Sequence, residues 1–255
     1  HRYDPVSGAD EQFELGQQVG SVVPCEAGGL IVAAQHGIFH FDASVGSLTE
    51  WSNMESDIET NRFNDGKCDP AGRFWAGTMS NDGSGSPSGS LYRIDTDRSI
   101  TRTVEDITCS NGLSWTADRK TMYYIDTPTR CVFAFDYDVE TGAIENRRVA
   151  IHLPEDHGNP DGMSIDSEGM LWVAEWEGWR VTRWNPDTVE HLGQIDVPCA
   201  RVTSCAFAGP NLDQLYITCA RRGLDEEKLK QQPLAGGLFL AKPGVTGPEA
   251  NFFAG

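Results

Sequence analysis

Short apolar segments alternate with small polar turns along this chain, and the alternation repeats. Each unit has a small-residue turn, a strand rich in apolar and aromatic residues, a short gap, and a second strand that closes on an aromatic and an acidic or amide residue. Five such units begin at Gly29, Gly72, Lys120, Gly169 and Gln214. Their spacing of roughly 43 to 50 residues is that of a four-stranded β-propeller blade. No long helical periodicity separates them, so the pattern predicts an all-β fold.

The first residues look like the end of a further unit. Residues 1–8 match the strand tails that end at Asp42 and Asp136. We therefore expect a six-bladed β-propeller, formed as a single domain over residues 1–255, with its first blade incomplete at the N-terminus. About 40 residues, roughly one blade at this period, are expected before His1. The charged stretch 225–232 predicts a short helix inserted in the last blade.

Composition narrows the choice of partners. The net charge of −18 argues against nucleic acid, whose phosphates require Lys and Arg. No window approaches the 18 apolar residues of a membrane span, and the first residues do not form a signal peptide. Seven cysteines without a C-x-x-C pair are typical of buried, reduced thiols. We expect a cytoplasmic protein, a monomer or weak oligomer, with a small-molecule ligand.

Candidate chemistry lies just before the strand pairs, where the innermost strand of each blade is expected. A propeller binds ligands where equivalent positions of its blades converge on the axis. An acidic or amide residue followed by Gly occurs at three of these places. We predict that Asn64, Asn111 and Asp161 are equivalent and face one another, with the glycine allowing a sharp turn. The alternative is that these Asn-Gly and Asp-Gly pairs are ordinary hairpin turns.

The residue types at these positions favour a hard cation. Carboxylate and amide oxygens suit Ca²⁺, Mg²⁺ or Mn²⁺ and can hold Zn²⁺. Arg62 precedes Asn64 by two residues, and its guanidinium favours oxygen-rich ligands, although a structural or surface role is equally consistent. The Gly/Ser-rich stretch 83–86 predicts a loop at the channel mouth, since it does not lie at the strand-to-helix turn of a nucleophile elbow.

Eight stretches of the chain resemble the SMP-30/gluconolactonase/regucalcin family, in one order and over nearly the whole length. The stretches are 61–67, 69–73, 110–113, 134–138, 160–163, 202–205, 218–221 and 233–237. The resemblance implies a six-bladed propeller with one catalytic divalent cation, for which Ca²⁺ is the first expectation and Zn²⁺, Mn²⁺ and Mg²⁺ are the others.

The resemblance also implies roles for individual residues. Asn111 and Asp161 correspond to metal ligands, and Asp161 also to the general base, while Arg62, Asn64 and Asp82 correspond to substrate-binding positions. The family's glutamate ligand, from a Gly-Glu-Gly-Pro-like segment of the first blade, is expected before His1. The implied function is metal-dependent hydrolysis of a sugar lactone to an aldonic acid. Two alternatives are a non-enzymatic calcium-binding regulator and another metal-dependent esterase or phosphotriesterase on the same propeller.

Overall fold

The structure is a computed structural model that describes residues His1–Gly255. It contains twenty-one strands, one helix and one 3-10 turn at Thr127–Thr129. The strands and the helix are β1 (Arg2–Tyr3), β2 (Asp10–Glu11), β3 (Val19–Pro24), β4 (Leu30–Ala34), β5 (Gly37–Asp42), β6 (Ser47–Ser52), β7 (Asn61–Cys68), β8 (Phe74–Ser80), β9 (Gly89–Ile94), β10 (Ile100–Ile107), β11 (Ser110–Trp115), β12 (Thr121–Asp126), β13 (Cys131–Tyr137), β14 (Ile144–His152), β15 (Asn159–Ile165), β16 (Leu171–Trp176), β17 (Arg180–Asn185), β18 (Glu190–Asp196), β19 (Val202–Ala208), β20 (Gln214–Cys219), α1 (Glu226–Gln231) and β21 (Leu238–Ala241).

Strands β3 to β21 form five antiparallel sheets, each of which follows the order of the chain. Blade 1 is β3–β6, blade 2 is β7–β10, blade 3 is β11–β14, blade 4 is β15–β18, and blade 5 is β19–β21. The first strand of each blade packs against the first strand of the next, from β3 to β7, β11, β15 and β19. These are the innermost strands, and each lies directly before its predicted strand pair. The expectation of an all-β propeller is confirmed.

The predicted number of six blades is wrong, because the structure contains five blade sheets. Residues 1–18 form only the hairpin β1–β2, in which Arg2 pairs with Glu11 and Tyr3 with Asp10. Strands of two residues present no apolar face on which a third strand could pack. Blade 5 has three strands, and after β21 the chain returns to blade 1, where Phe253 forms a parallel bridge with Cys25.

The core lies between the blades. Four clusters of buried side chains join blade 1 to blade 2, blade 2 to blade 3, blade 3 to blade 4 and blade 4 to blade 5. Phe253 belongs to the first of these clusters and is fully buried. All seven cysteines are free, and all but Cys109 are buried, as the sequence predicted. Each blade is therefore stabilised mainly by its neighbours.

The last blade carries the predicted short helix. Helix α1 lies between β20 and β21, and the carboxylate of Asp225 caps it by accepting a hydrogen bond from the Lys228 backbone N–H at 2.8 Å. Acidic residues in its first turn suit the positive end of the helix dipole. No helix of this chain is both long and apolar enough to cross a membrane.

A buried aspartate closes the turn between the first two strands of blades 2 and 4. One oxygen of Asp69 accepts hydrogen bonds from the backbone N–H groups two and four residues later, both at 2.9 Å. The other oxygen accepts from Trp75 Nε1 at 3.0 Å and from the Tyr137 hydroxyl at 2.7 Å. Asp166 and Trp172 repeat the arrangement. The carboxylate thus ties a turn, its own blade and the neighbouring blade together.

We expect Asp69→Ala to lower the free energy of unfolding by about 3 kcal/mol, because it leaves several buried donors without an acceptor. Urea denaturation monitored by Trp fluorescence measures this change. The matched control is Asp97→Ala, which removes an exposed turn carboxylate that accepts from the Ser99 backbone N–H and should cost under about 1 kcal/mol. Equal losses in the two variants would contradict the assignment.

Candidate functional site

The five innermost strands share one irregularity, at corresponding places near the start of each strand. Each pairs with the second strand of its blade through a register shift, which lies between Val19 and Ser21, Phe63 and Gly66, Asn111 and Leu113, Pro160 and Met163, and Val202 and Ser204. Such β-bulges bend a strand and redirect its side chains. The candidate site is therefore built on bulges inside strands.

The expected sharp turns at the Asn-Gly and Asp-Gly pairs are not formed. Gly66, Gly112 and Gly162 lie within strands, and none of them has a positive φ. Their function is close approach. A Cβ on Gly112 would lie 2.9 Å from the carbonyl oxygen of Asp161, and one on Gly162 would lie 2.7 Å from that of Thr203. The missing side chains allow adjacent innermost strands to approach each other beside the candidate ligands.

The pairing register defines which residues of the innermost strands are equivalent. Asn64 directly follows Phe63, the last paired residue before the bulge of blade 2, as Asp161 directly follows Pro160 in blade 4, and Asn111 lies at the bulge of blade 3. This register agrees with the predicted set of Asn64, Asn111 and Asp161. Asp65, one residue after Asn64, was not predicted, and its carboxylate lies near enough to Asp161 to raise the pKa of that group.

Arg62, Asn64 and Asn111 are joined by hydrogen bonds. Arg62 Nη1 donates to Asn64 Oδ1 at 2.8 Å, and Arg62 Nε donates to Asn81 Oδ1 at 3.3 Å. Asn64 Nδ2 donates to Asn111 Oδ1 at 3.1 Å and to the Ser110 carbonyl oxygen at 2.7 Å. The structure thus brings two predicted substrate-binding residues against a predicted metal ligand.

Asp161 is a carboxylate without an ion-pair partner. No Lys, Arg or His nitrogen of the chain lies within salt-bridge distance of it. Burial and the nearby Asp65 carboxylate raise its pKa well above the usual range, and the Gly162 N–H and Arg62 oppose this effect only in part. Its side chain keeps partial solvent exposure, which we assign to the channel that the innermost strands surround. Water and a ligand therefore have access to it.

Lys67 connects two innermost strands near these carboxylates. Its ammonium group donates a hydrogen bond of 2.7 Å to the carbonyl oxygen of Met163, which belongs to the innermost strand two blades away. Burial lowers the pKa of Lys67, and Asp65 opposes this shift. Burial likewise raises the pKa of Asp65, against the attraction of Lys67 and the Gly66 N–H. Lys67 therefore compensates part of the negative charge of Asp65.

A neutral thiol borders the site. Cys109 Sγ lies 3.6 Å from Asn111 Nδ2 and 3.5 Å from Met79 Sδ. Burial raises the pKa of Cys109 to about 12, followed by the effect of Asp161. At neutral pH this cysteine is a thiol, which makes it a poor metal ligand and a poor nucleophile.

Asp82 lies apart from the other predicted residues. It is exposed in the loop between β8 and β9, where its carboxylate accepts from Ser80 Oγ at 2.5 Å and from the Ser84 N–H at 2.8 Å. These hydrogen bonds, that from Ser80 first, lower its pKa to about 2. It makes no hydrogen bond with Arg62 or Asn64, although its chain neighbour Asn81 does contact Arg62. Asp82 therefore stands at the rim of the site.

The donors at this place fit a divalent cation of the hard class. They are the carboxylate of Asp161 and the amide oxygen of Asn111, both from innermost strands, with the carboxylate of Asp65 nearby. Two nearby, partly buried carboxylates with one compensating ammonium group carry an electrostatic cost that a cation would reduce. The chain contains no group of three His, Cys, Asp or Glu side chains arranged for a metal, so amide oxygens are needed to complete the set.

We expect Gly112→Ala to weaken both the fold and the site, because the added Cβ would lie 2.7 Å from Ile125 Cδ1 and 2.8 Å from Met163 Cβ. Overpacking of this kind costs about 1 to 3 kcal/mol, measurable by urea denaturation. Gly237→Ala is the control, since its nearest atom would be the Leu234 carbonyl oxygen at 3.0 Å. A Gly112→Ala protein as stable as the parent would refute the close-approach role.

Comparison with known proteins identifies the family of the chain. The family model described as SMP-30/Gluconolactonase/LRE-like region matches residues 1–221. The chain is 39% identical to regucalcin of Oryctolagus cuniculus over 259 aligned residues, which cover 100% of the chain and 87% of that protein.

Two solved structures share the fold. A calcium-binding protein, regucalcin, from Agrobacterium tumefaciens superposes with a TM-score of 0.92 at 29% identity, covering 97% of this chain and 83% of the other. A luciferin-regenerating enzyme gives a TM-score of 0.90 at 34% identity, covering 99% and 87%. The five blade sheets and their bulged innermost strands agree with these similarities. This chain belongs to the SMP-30/gluconolactonase/LRE-like family, together with the regucalcins.

Proposed function

We propose that the protein hydrolyses a sugar lactone to the corresponding aldonic acid with the help of one divalent cation. The observation that carries the proposal is the unpaired, raised-pKa carboxylate of Asp161 beside the amide of Asn111 and the donors of Arg62 and Asn64. A lactone presents a carbonyl group and several hydroxyl groups close together, which such a mixed set of charges and donors suits. Membership of a family whose description includes gluconolactonase supports it.

Asp161 and Asn111 would hold the cation, with Asp65 contributing negative charge nearby. When bound, a divalent cation polarises the lactone carbonyl and stabilises the negative charge that develops on its oxygen. Ca²⁺ is the first candidate for this oxygen-rich set, and Zn²⁺, Mn²⁺ and Mg²⁺ are the others.

Asp161 is the proposed general base. Its carboxylate keeps partial exposure, so a water molecule has access to it, and it is otherwise enclosed by protein. A carboxylate whose pKa is raised accepts a proton from water more readily than an ordinary one. Asp161 would take the proton as water attacks the carbonyl carbon, and would pass it to the ring oxygen, which leaves as the new hydroxyl group of the acid as its bond to the carbonyl carbon breaks.

Arg62 is oriented for substrate binding. Its Nη1 donates to the Phe63 carbonyl oxygen at 2.9 Å and to Asn64 Oδ1, and its Nε donates to Asn81. Nη2 forms no hydrogen bond within the chain, so it remains available for a hydroxyl oxygen of the sugar. A guanidinium held in this way fixes the substrate with little further loss of entropy. Asn64 and, from the rim, Asp82 would bind further hydroxyl groups.

A second candidate is a non-enzymatic calcium-binding regulator. The solved relative from Agrobacterium tumefaciens, which is described as a calcium-binding protein, favours this function, and the same oxygen donors would serve it. A metal-dependent esterase or phosphotriesterase is a third candidate, disfavoured by the polar Arg62 and Asn64. Activity toward lactones separates the three, because only a lactonase releases acid from gluconolactone, galactonolactone, xylonolactone or arabinonolactone in a metal-dependent way.

We expect Asp161→Ala to reduce this acid release at least 100-fold, since it removes both the base and a cation ligand. A pH-indicator assay with and without EDTA measures it. Asp156→Ala is the matched control, because Asp156 is an exposed carboxylate five residues earlier and its loss should leave the rate unchanged. Full activity of Asp161→Ala would overturn the proposed mechanism.

We expect Arg62→Lys to raise KM about tenfold while kcat changes much less, because one hydrogen bond to the substrate is lost and the reacting groups remain. Steady-state kinetics with the best lactone separate the two constants. A fall in kcat at unchanged KM would instead place Arg62 in the chemical step.

A further inference from the structure

A single hydroxyl group joins the two proposed metal ligands. Thr127 begins the 3-10 turn between β12 and β13, outside the innermost strands. Its Oγ1 accepts a hydrogen bond from Asn111 Nδ2 at 2.7 Å. The same hydroxyl donates to the carbonyl oxygen of Pro160 at 2.7 Å, and Pro160 directly precedes Asp161. Thr127 therefore bridges blade 3 to blade 4 at the candidate site.

The chemistry of these groups determines the direction of each hydrogen bond. The Pro160 carbonyl oxygen can only accept, so the one hydroxyl proton of Thr127 points to it. Thr127 Oγ1 must then accept from Asn111, and only the NH₂ group of the Asn111 amide can donate. From this side, the amide nitrogen of Asn111 faces Thr127 and its oxygen faces the opposite direction.

The hydrogen bonds of Arg62 and Asn64 indicate the same orientation of the Asn111 amide. Arg62 can only donate, so the Asn64 amide presents its oxygen to Arg62 at 2.8 Å. The Asn64 amide then turns its NH₂ group toward Asn111, whose oxygen accepts at 3.1 Å. The orientation of the Asn111 amide thus follows from two independent partners. This matters because amide oxygen and nitrogen differ little in size, and only the oxygen can bind a cation.

We propose that Thr127 is a positioning residue that holds the amide of Asn111 with its oxygen toward the cation and fixes this oxygen relative to Asp161. The inference rests on the proposed function in so far as that function supplies the cation. Without the hydroxyl group, Asn111 would be free to present its NH₂ group to the site for part of the time. The link between the two innermost strands through Pro160 would also be lost.

The test measures cation affinity directly, by isothermal titration of the full chain with CaCl₂ and with MnCl₂. We expect Thr127→Val to weaken binding about 10- to 100-fold, the usual effect of removing a group that orients a metal ligand. Thr127→Ser keeps the hydroxyl and should bind within about threefold of the parent. Thr129→Val is the matched control, since the Thr129 hydroxyl donates to the Asp126 carbonyl oxygen in the same turn at 2.6 Å and does not contact Asn111.

Kinetics give a second readout that a merely structural role would not produce. Arg62 keeps its contacts with Phe63, Asn64 and Asn81 in Thr127→Val, so saturating cation, which selects the amide orientation with the oxygen inward, should restore kcat and KM for the lactone to the values of the parent. Circular dichroism verifies folding, and Thr127→Ala replaces Thr127→Val, with the same expectation, if the latter does not fold.

Each outcome has a distinct meaning. Unchanged cation affinity in Thr127→Val, or equal weakening in Thr127→Ser, would overturn the inference and leave the proposed function standing. A parent chain that binds cation but hydrolyses no lactone would overturn the proposed function alone, and weakened binding in Thr127→Val would still support the inference. A parent chain that binds no cation would overturn both.

Discussion

The structure depends on the close approach of neighbouring innermost strands. At Gly112 and Gly162 a methyl group would lie under 3 Å from the next strand, so any side chain there would push two blades apart. The bulge at the same place turns the preceding residue away from the regular pleat. The close contact and the redirected side chain thus occur together, at the place where the strand segments that carry Asn111 and Asp161 lie against each other.

Two carboxylates dominate the electrostatics of the candidate site. The two carboxylates of Asp65 and Asp161 are placed together in a protein of net charge −18, and the ammonium group of Lys67 compensates only part of their charge. A partly buried carboxylate without an ion-pair partner is energetically unfavourable. This unfavourable charge lies beside the amides of Asn64 and Asn111, which hydrogen bonds hold in fixed orientations. Such a combination is expected where a fold is adapted to bind a ligand.

Local patterns predicted the fold well and the details of the site less well. Patterns that extend over only a few neighbouring residues predicted the five repeats, the innermost strands before them and the short helix α1. The count of six was wrong because the first residues share the composition of a blade tail but pair only with each other. Asn-Gly and Asp-Gly indicate turns in isolation, and whether they form turns or bulges depends on the strand that pairs with them.

The sequence by itself determined the all-β propeller, the family and the residue types of the candidate site, because blade period and motif spacing are read along the chain. The tertiary structure decided that Asp65 lies near Asp161, that Asp82 stands at the rim, and which way the Asn111 amide points. These features arise from contacts such as that of Asn64 with Asn111, 47 residues apart. Contacts of this length leave no local pattern, since they exist only when the blades pack side by side.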